Sequence, residues 1–477
     1  MNRSFMPPTA FIDPRGGNRV EIEHLLNQVV SVLLPYLMEA EKRSPLPEVG
    51  VAEEPIPSDG VADDSLLEKL RPLIAGSMNN ANPGYIGHMT SMPTTMSIAG
   101  DLVAAALSNN MLFQETSPIF TPLELMLMRQ FAHLFNLGER AGGVLQGSGT
   151  MANLQALAVA RNARLGTSEL GVGALSKPPV VLASEVAHAS VRKAAMILGM
   201  GSSAVVPVAA DENSRMRPES LREEITKAKA GGREPFCVVA TAGTTVTGNI
   251  DPLAEACEIA REHGLWYHVD AAYGGALVFS DEHRHRLNGI ESADSVTFNP
   301  QKWLYVSNGC AMALFRDMHR MEEAFRVPSP YAGGGDAVTN LGEITVHGSR
   351  RVEVLKLWLS LQHLGSRGYG RLVDEGCRLA DYLRRKVEER PHLHAAGDPD
   401  TNILCFRATP PHADATHLDR LNSRLQTFLL RERGLFLSCP LYRGARWLRA
   451  ILLNPFADEQ LVDGLFDDID SFVATPK

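Results

Sequence analysis

Two short runs carry the residues best able to do covalent chemistry: HVDAAYGG at 268–275 and NPQKW at 299–303. Asp270 closes the apolar run Trp266–Val269, and Lys302 follows the run Ser295–Phe298. If these runs are neighbouring strands of a parallel sheet, a carboxylate and an amine emerge together at its carboxyl edge, where such sheets bind ligands. A lysine amine there can condense with a carbonyl to give an imine. A carboxylate can pair with a protonated heterocyclic nitrogen and keep the ring electron-poor, ready to accept a carbanion's electrons. These are the two protein groups that a pyridoxal-phosphate site needs most. Taken singly, an Asp or a Lys would read as a solvated surface charge.

Three further stretches offer supporting groups. VLQGSGT at 144–150 precedes a helix beginning near Ala152. Its glycines let backbone N–H groups approach an anion, the helix N-terminus favours negative charge, and Ser148 and Thr150 can donate from their hydroxyls. Alone, this run is equally a turn with an N-cap. His188, in SEVAHAS, follows the strand-like run PVVLA and would either stack on an aromatic cofactor or satisfy a hydrogen bond of the core. ATAGTTVTGNIDP at 240–252 follows another strand and presents Thr244 and Thr245, which would otherwise belong to an ordinary β–α turn. A nucleotide-binding dehydrogenase fits poorly, because Gly147-Ser148-Gly149-Thr150 lacks the G-x-G-x-x-G spacing and no acidic ribose ligand follows it.

The elements that must position these groups alternate between helix and strand patterns from about residue 95 to 320. Strands are predicted at Pro179–Ala183, Ser203–Val208, Phe236–Ala240, Trp266–Val269, Ser295–Phe298 and Ala311–Phe315. Helices are predicted at Ala152–Arg164, Val191–Leu198, Pro218–Ala230 and Leu253–His263. Such alternation implies βαβ units and a mostly parallel sheet covered on both faces. A long helix is expected from Val352 to Leu364, with Gly365 as its stop. Beyond it, strands at Ile403–Arg407 and Trp447–Leu453 mixed with helices suit a small α/β domain. Residues 1–18 read as an arm. From Arg19 to about Lys42, Ile22, Leu25, Leu26, Val29, Val30, Leu33 and Leu34 recur at helical spacing. That helix packs either on its own core or on a second subunit. Ser44–Asp63 is a Pro- and Glu-rich loop.

Composition narrows the class. The chain has 477 residues, 44% of them hydrophobic and 21% charged, with a formal net charge of -9. An acidic chain without a basic block has no means of neutralising phosphates, which argues against nucleic-acid binding. The six cysteines are scattered without a C-x-x-C pair, so neither a disulfide framework nor a zinc site is expected, and a cytoplasmic location is the simplest reading. No signal peptide and no apolar stretch of membrane-spanning length is evident.

With NNMLFQETSP, QGSGT, SEVAHAS, ATAGTTVTGNIDP, HVDAAYGG, HRHRLNGIESADS and NPQKW in this order, the sequence resembles the group II pyridoxal-phosphate decarboxylases. That family includes the glutamate, cysteine sulfinate and aromatic amino acid decarboxylases. The resemblance runs from about Asn82 to Pro455, and the NNM tripeptide and HRHRLNGIE stretch are closer to the glutamate and cysteine sulfinate branch. It implies a type I, aspartate-aminotransferase-like α/β fold, with a dimer-contacting helical segment at 1–95, a large cofactor-binding domain at 96–355 and a small C-terminal domain at 356–477. It also implies a homodimer with active sites at the subunit interface. By the same resemblance Lys302 carries pyridoxal 5'-phosphate as a Schiff base, Asp270 binds its ring nitrogen, and His188 and Ala272 lie on its two faces. Ser148, Gly149, Thr150 and Asn299 fall at phosphate-contacting positions and Thr245 near the ring hydroxyl, while Gln301, beside the lysine, is a cofactor-binding candidate able to hydrogen-bond a phosphate or a carboxylate. Arg449 matches the arginine that holds a substrate carboxylate, and His88, Asn110 and Leu112 fall near the substrate side chain.

Two departures stand out. Gln301 replaces the histidine that usually precedes the lysine; an amide can hydrogen-bond but cannot shuttle a proton. The family's loop tyrosine has no counterpart in DAVTNLGEITVHGSRR, where Thr339 and Asn340 are nearest, while Tyr331 lies upstream. The expected activity is decarboxylation of an L-amino acid, an acidic one first, with diaminobutyrate and aromatic amino acids open. The alternatives are an aldehyde synthase on the same scaffold and a non-catalytic homologue.

Overall fold

A computed structural model describes residues 7–48, 50, 53–329, 339–411 and 414–474. Its centre is a seven-stranded sheet formed by β1 (Gly142–Gln146), β2 (Pro179–Ser184), β3 (Val205–Val208), β4 (Glu234–Thr241), β5 (Trp266–Asp270), β6 (Ser295–Phe298) and β7 (Ala311–Phe315), in the order β1-β7-β6-β5-β4-β2-β3. β2 to β6 pair in parallel and only β7 runs against its neighbours β1 and β6. The central strands are apolar along nearly their whole length and buried on both faces, as a helix-covered parallel sheet requires.

Helices α1 (Arg19–Met38), α2 (Asp63–Ala75), α3 (Thr95–Leu107) and α4 (Phe120–Leu134) precede the sheet. α5 (Gly149–Leu165), α6 (Ala189–Ile197), α7 (Pro218–Ala230), α8 (Leu253–Glu262) and α9 (Met318–Phe325) connect or flank its strands. α10 (Glu353–Glu388) leads to a second, three-stranded sheet in the order β12-β9-β8, with β8 (Leu393–Ala395), β9 (Ile403–Ala408) and β12 (Leu448–Ile451). α11 (Ala415–Arg433), the hairpin β10 (Leu441–Tyr442) with β11 (Ala445–Arg446), and α12 (Glu459–Ala474) complete this layer. The large sheet and its helices share one apolar core, and the small sheet, α11 and α12 share another. Helix α10 enters both: Val354, Leu357 and Tyr369 lie in the first, Leu379, Leu383 and Val387 in the second.

Most expected elements are present within a few residues of their predicted ends. β1 was not among them: Gly142 and Gly143 weaken its strand signal, yet a Cβ on Gly143 would lie 2.5 Å from the Ala313 carbonyl oxygen, so close pairing with β7 demands glycine. α5 begins three residues earlier than predicted, at Gly149, capped by the Ser148 hydroxyl, which accepts from Met151 N at 3.3 Å. Gly365 breaks the helical path, with φ 68° and ψ 167°, but the chain resumes helix instead of stopping, because Tyr369, Val373 and Cys377 then bury on the large core. α1 is a helix none of whose residues is buried; Leu26, Val30 and Leu34 are exposed, so the chain's own core does not cover its apolar stripe.

Glycines also let two site loops touch. The loop after β4 and the loop after β5 meet back to back, Gly274 N donating to Ala242 O at 3.0 Å. Gly243 has φ 95°, and a Cβ there would stand 2.8 Å from Gly274 N. Gly243→Ala should therefore lower stability by roughly 2–4 kcal/mol, combining the left-handed backbone with overpacking, as measured by denaturant unfolding.

Candidate active site

The parallel pairing of β5 and β6 sets Asp270 opposite Thr297, and the chain leaving β6 turns through Asn299 to Lys302 before returning as β7. The carboxylate and the amine therefore meet at the carboxyl edge of the sheet. Asp270 is only 5% exposed. Its Oδ1 accepts from Ala272 N at 3.1 Å and its Oδ2 from Asn153 Nδ2, on α5, at 2.8 Å. Burial lowers the pKa of the Lys302 amine from the ordinary lysine value, and the Asp270 charge opposes that shift. Among the described residues the Lys302 amine has no hydrogen bond or ion pair, which leaves it able to act as a nucleophile.

His188 caps α6: its Nδ1 accepts from Ser190 N at 3.2 Å and lies 2.8 Å from Ser190 Oγ. Desolvation holds its pKa down, with Asp270 pulling the other way and Lys302 and Lys193 adding to the lowering. Ser148, Gly149 and Thr150 form the N-terminal edge of α5, and Asn299 lies so close that a Cβ on Gly149 would be 2.5 Å from Asn299 Nδ2. Thr245 faces a cavity, whereas Thr244 is turned inward, its hydroxyl 2.9 Å from that of Thr247 and accepting from Asn249 N.

That cavity, about 280 Å³, is lined by His88, Met89, Thr90, Thr245, Gln301, Lys302, Asn308 and Arg449. Arg449 is on β12 and its guanidinium joins distant segments: Nε donates to Ser438 Oγ at 2.9 Å, Nη1 to Thr245 O at 2.6 Å, and Nη2 to Gly87 O and His88 Nδ1, both at 3.1 Å. Because arginine only donates, His88 Nδ1 is an acceptor and the neutral ring carries its proton on Nε2. Burial and the Arg449 charge both lower the His88 pKa, in keeping with that state. Gln301 Oε1 accepts from Gly309 N at 2.9 Å and Cys310 N at 2.7 Å, which leaves its Nε2 as the free end of the amide.

Asn110 and Leu112 are not among the residues lining this cavity. Asn110 Oδ1 accepts from Leu112 N and Arg350 N, both at 3.1 Å, and Asn110 borders a separate cavity with Ser349 and Arg350. Asn340 is buried and accepts from Gln114 N at 3.2 Å; Tyr331 lies outside the described residues. Sequence reasoning missed His268 and Asn153. His268 is fully buried, with Nδ1 2.8 Å from Ser295 Oγ and Nε2 3.1 Å from Asn153 Oδ1. The available signal was the i, i+2 spacing of His268 and Asp270, which puts both on one face of β5.

The site suits a phosphorylated pyridine ring. A tight backbone approach at a helix N-terminus lies beside Asn299, and the carboxylate and the lysine stand nearby. Three buried polar atoms there lack partners among the described residues: Asn299 Oδ1 and the hydroxyls of Thr241 and Thr297, which flank Asp270 in register. Fold and site together define a type I pyridoxal-phosphate enzyme. Residues 47–409 match the pyridoxal-dependent decarboxylase conserved domain. Cysteine sulfinic acid decarboxylase of Mus musculus is 32% identical over 417 residues, 83% of each chain. Aspartate 1-decarboxylase of Aliivibrio fischeri is 29% identical over 97% of this chain and 92% of its own length. The crystal structure of mouse CSAD superposes with a TM-score of 0.88 at 28% identity, over 95% of this chain and 99% of that one. The chain belongs to the pyridoxal-dependent decarboxylase family. It is an amino acid carboxy-lyase that depends on pyridoxal phosphate.

Arg449→Met should leave the carbonyls of Gly87 and Thr245 and the hydroxyl of Ser438 without their donor. A loss of roughly 2–4 kcal/mol is expected, read as a lowered unfolding midpoint of the purified variant.

Proposed function

We propose that the chain decarboxylates an L-amino acid with an acidic side chain, such as aspartate, glutamate or cysteine sulfinate, to the amine and CO₂. The observation that carries this reading is the donor-rich lining of the cavity between Lys302 and Arg449. The free end of His88 is an N–H group, and Arg449 keeps one N–H unengaged and forms no ion pair among the described residues. An anionic side chain supplies the missing acceptors, whereas a second amine would meet the Arg449 charge unpaired. Both relatives described above are named for acidic substrates.

In this reading the Lys302 amine would hold the cofactor covalently. The N-terminal edge of α5, with Ser148, Gly149 and Thr150, and the neighbouring Asn299 and Gln301 cradle the phosphate side. His188 and Ala272 would hold the ring from its two sides, and Thr245 would meet its hydroxyl. When bound, the cofactor's ring accepts the electron pair left by departing CO₂. Asp270, held by two N–H donors, would pair with the ring nitrogen and favour its protonated form. Lys302, with its pKa lowered by burial, is suited to take up and return protons at the reacting carbon.

The same reading makes the active unit a homodimer. The uncovered stripe of α1 and the exposed Leu102, Val103 and Leu107 of α3 are the apolar faces that a second copy would bury. The segment carrying Asn110 and Leu112 follows directly from α3 and would then reach the partner's substrate.

A CO₂-release screen across the L-amino acids, with products identified by mass, should show turnover of acidic substrates to amines. Release of CO₂ only from aromatic or dibasic substrates would refute the acidic assignment, and an aldehyde with ammonia would refute simple decarboxylation. Lys302→Ala should abolish turnover, and borohydride treatment should no longer add cofactor mass to the protein. Leu102→Glu with Leu107→Glu should shift the native mass from dimer to monomer and lower activity with it.

A further inference from the structure

The two ends of the hydrogen-bond chain behind Asp270 are one-way groups, and with a neutral His268 between them they order its protons. An ionised carboxylate only accepts, so Asn153 must turn its Nδ2 to Asp270 Oδ2 and its Oδ1 away. Oδ1 then needs a donor, and His268 Nε2, 3.1 Å away, supplies it. Burial holds the ring neutral against the pull of Asp270, so with its proton on Nε2 the His268 Nδ1 accepts from Ser295 Oγ at 2.8 Å. Ser295 in turn accepts from the indole Nε1 of Trp266 at 2.8 Å, a group that can only donate. The second amide hydrogen of Asn153 goes to Ser190 Oγ at 2.8 Å, and Ser190 donates onward to His188 Nδ1 at 2.8 Å. Asn153, Ser190, His268 and Ser295 are all buried, so water does not substitute for a lost partner.

We propose that Asn153 is a positioning residue whose amide, oriented by His268, holds the Asp270 carboxylate and the His188 ring in one arrangement. The inference rests on Asp270 facing the cofactor's ring. It adds that this carboxylate and the histidine on α6 are tied through a single side chain. Without the His268 donor, the Asn153 amide is free to turn its oxygen toward Asp270, placing acceptor against acceptor. The same rotation removes the donor from Ser190 and loosens His188.

The test compares holoenzymes carrying Asn153→Ala, His268→Phe, His268→Gln and Asp270→Ala. Visible circular dichroism of the bound cofactor, its dissociation by dialysis, and kcat and KM are read for each. His268→Phe should weaken cofactor retention about tenfold and lower kcat by about tenfold or more, diminish the visible dichroism and leave KM within about twofold. His268→Gln, which keeps a donor toward Asn153, should recover most of each loss. Asn153→Ala combined with His268→Phe should be no worse than Asn153→Ala alone, because both remove one interaction. Equal damage from His268→Phe and His268→Gln, or additive losses in the double variant, would overturn the proposal by assigning His268 to packing alone. If Asp270→Ala itself keeps full dichroism and turnover, the underlying reading of Asp270 fails. If Asp270→Ala is crippled while Asn153→Ala matches the parent, only the present inference fails. Should His268→Phe not fold, Ser295→Ala, which leaves the imidazole in place but removes the group fixing its tautomer, should show the same loss of dichroism, and an unchanged signal overturns the proposal.

Discussion

A carboxylate taken out of water needs fixed donors in place of its hydration shell. Asp270 meets that condition with a backbone N–H from its own loop and the side-chain amide of Asn153. Much of the neighbourhood follows from satisfying this one group. α5 must pass close enough to β5 to deliver Asn153, and β5 must present His268 and Asp270 on the same face. β6 must bring Ser295 level with His268, as their register does. His268 serves the acid by donating its Nε2–H to Asn153 Oδ1, which leaves the amide hydrogens of Asn153 for Asp270 and Ser190. Burial pushes the His268 pKa down against the pull of Asp270.

A second buried charge organises the opposite wall. Arg449 sits on the small sheet but spends its donors on Gly87 and His88 from the N-terminal part, Thr245 from the loop after β4 and Ser438 from its own layer. Three regions distant in sequence are thereby closed around one cavity. The segment before His88 is also pinned to the small layer through backbone bonds, Ile86 N to Phe436 O at 3.1 Å and Phe436 N to Gly84 O at 2.8 Å. Positive charge at this wall and an uncharged, proton-bearing histidine beside it are therefore built into the way the layers are held together.

Local pattern carries the sheet and its helices well where strands are long apolar runs and helices have clear stops. β6, β7 and α7 fall at their predicted limits. β1 escaped because glycine, selected for close approach to β7, also erases the propensity that marks a strand. The Asp270 and Lys302 pair was legible because each follows a recognisable strand. Asn153 and Ser295 were not, since an Asn within a helix and a Ser opening a strand acquire meaning only when tertiary packing brings them to His268. Arg449 was reached through family resemblance, yet its engagement by backbone carbonyls from other layers could not be read from its own neighbours in sequence. The helical stripe of α1 was clear, whereas its lack of cover within the chain is a property of the whole fold.

Helix α10 belongs to both apolar cores, and after the break at Gly365 it runs unbroken from the large core into the small one. A stiff beam clamped at each end resists the hinge-like closure by which many two-layered enzymes grip their substrates. The layer that carries Lys302 and the layer that carries Arg449 are thus coupled through one continuous element.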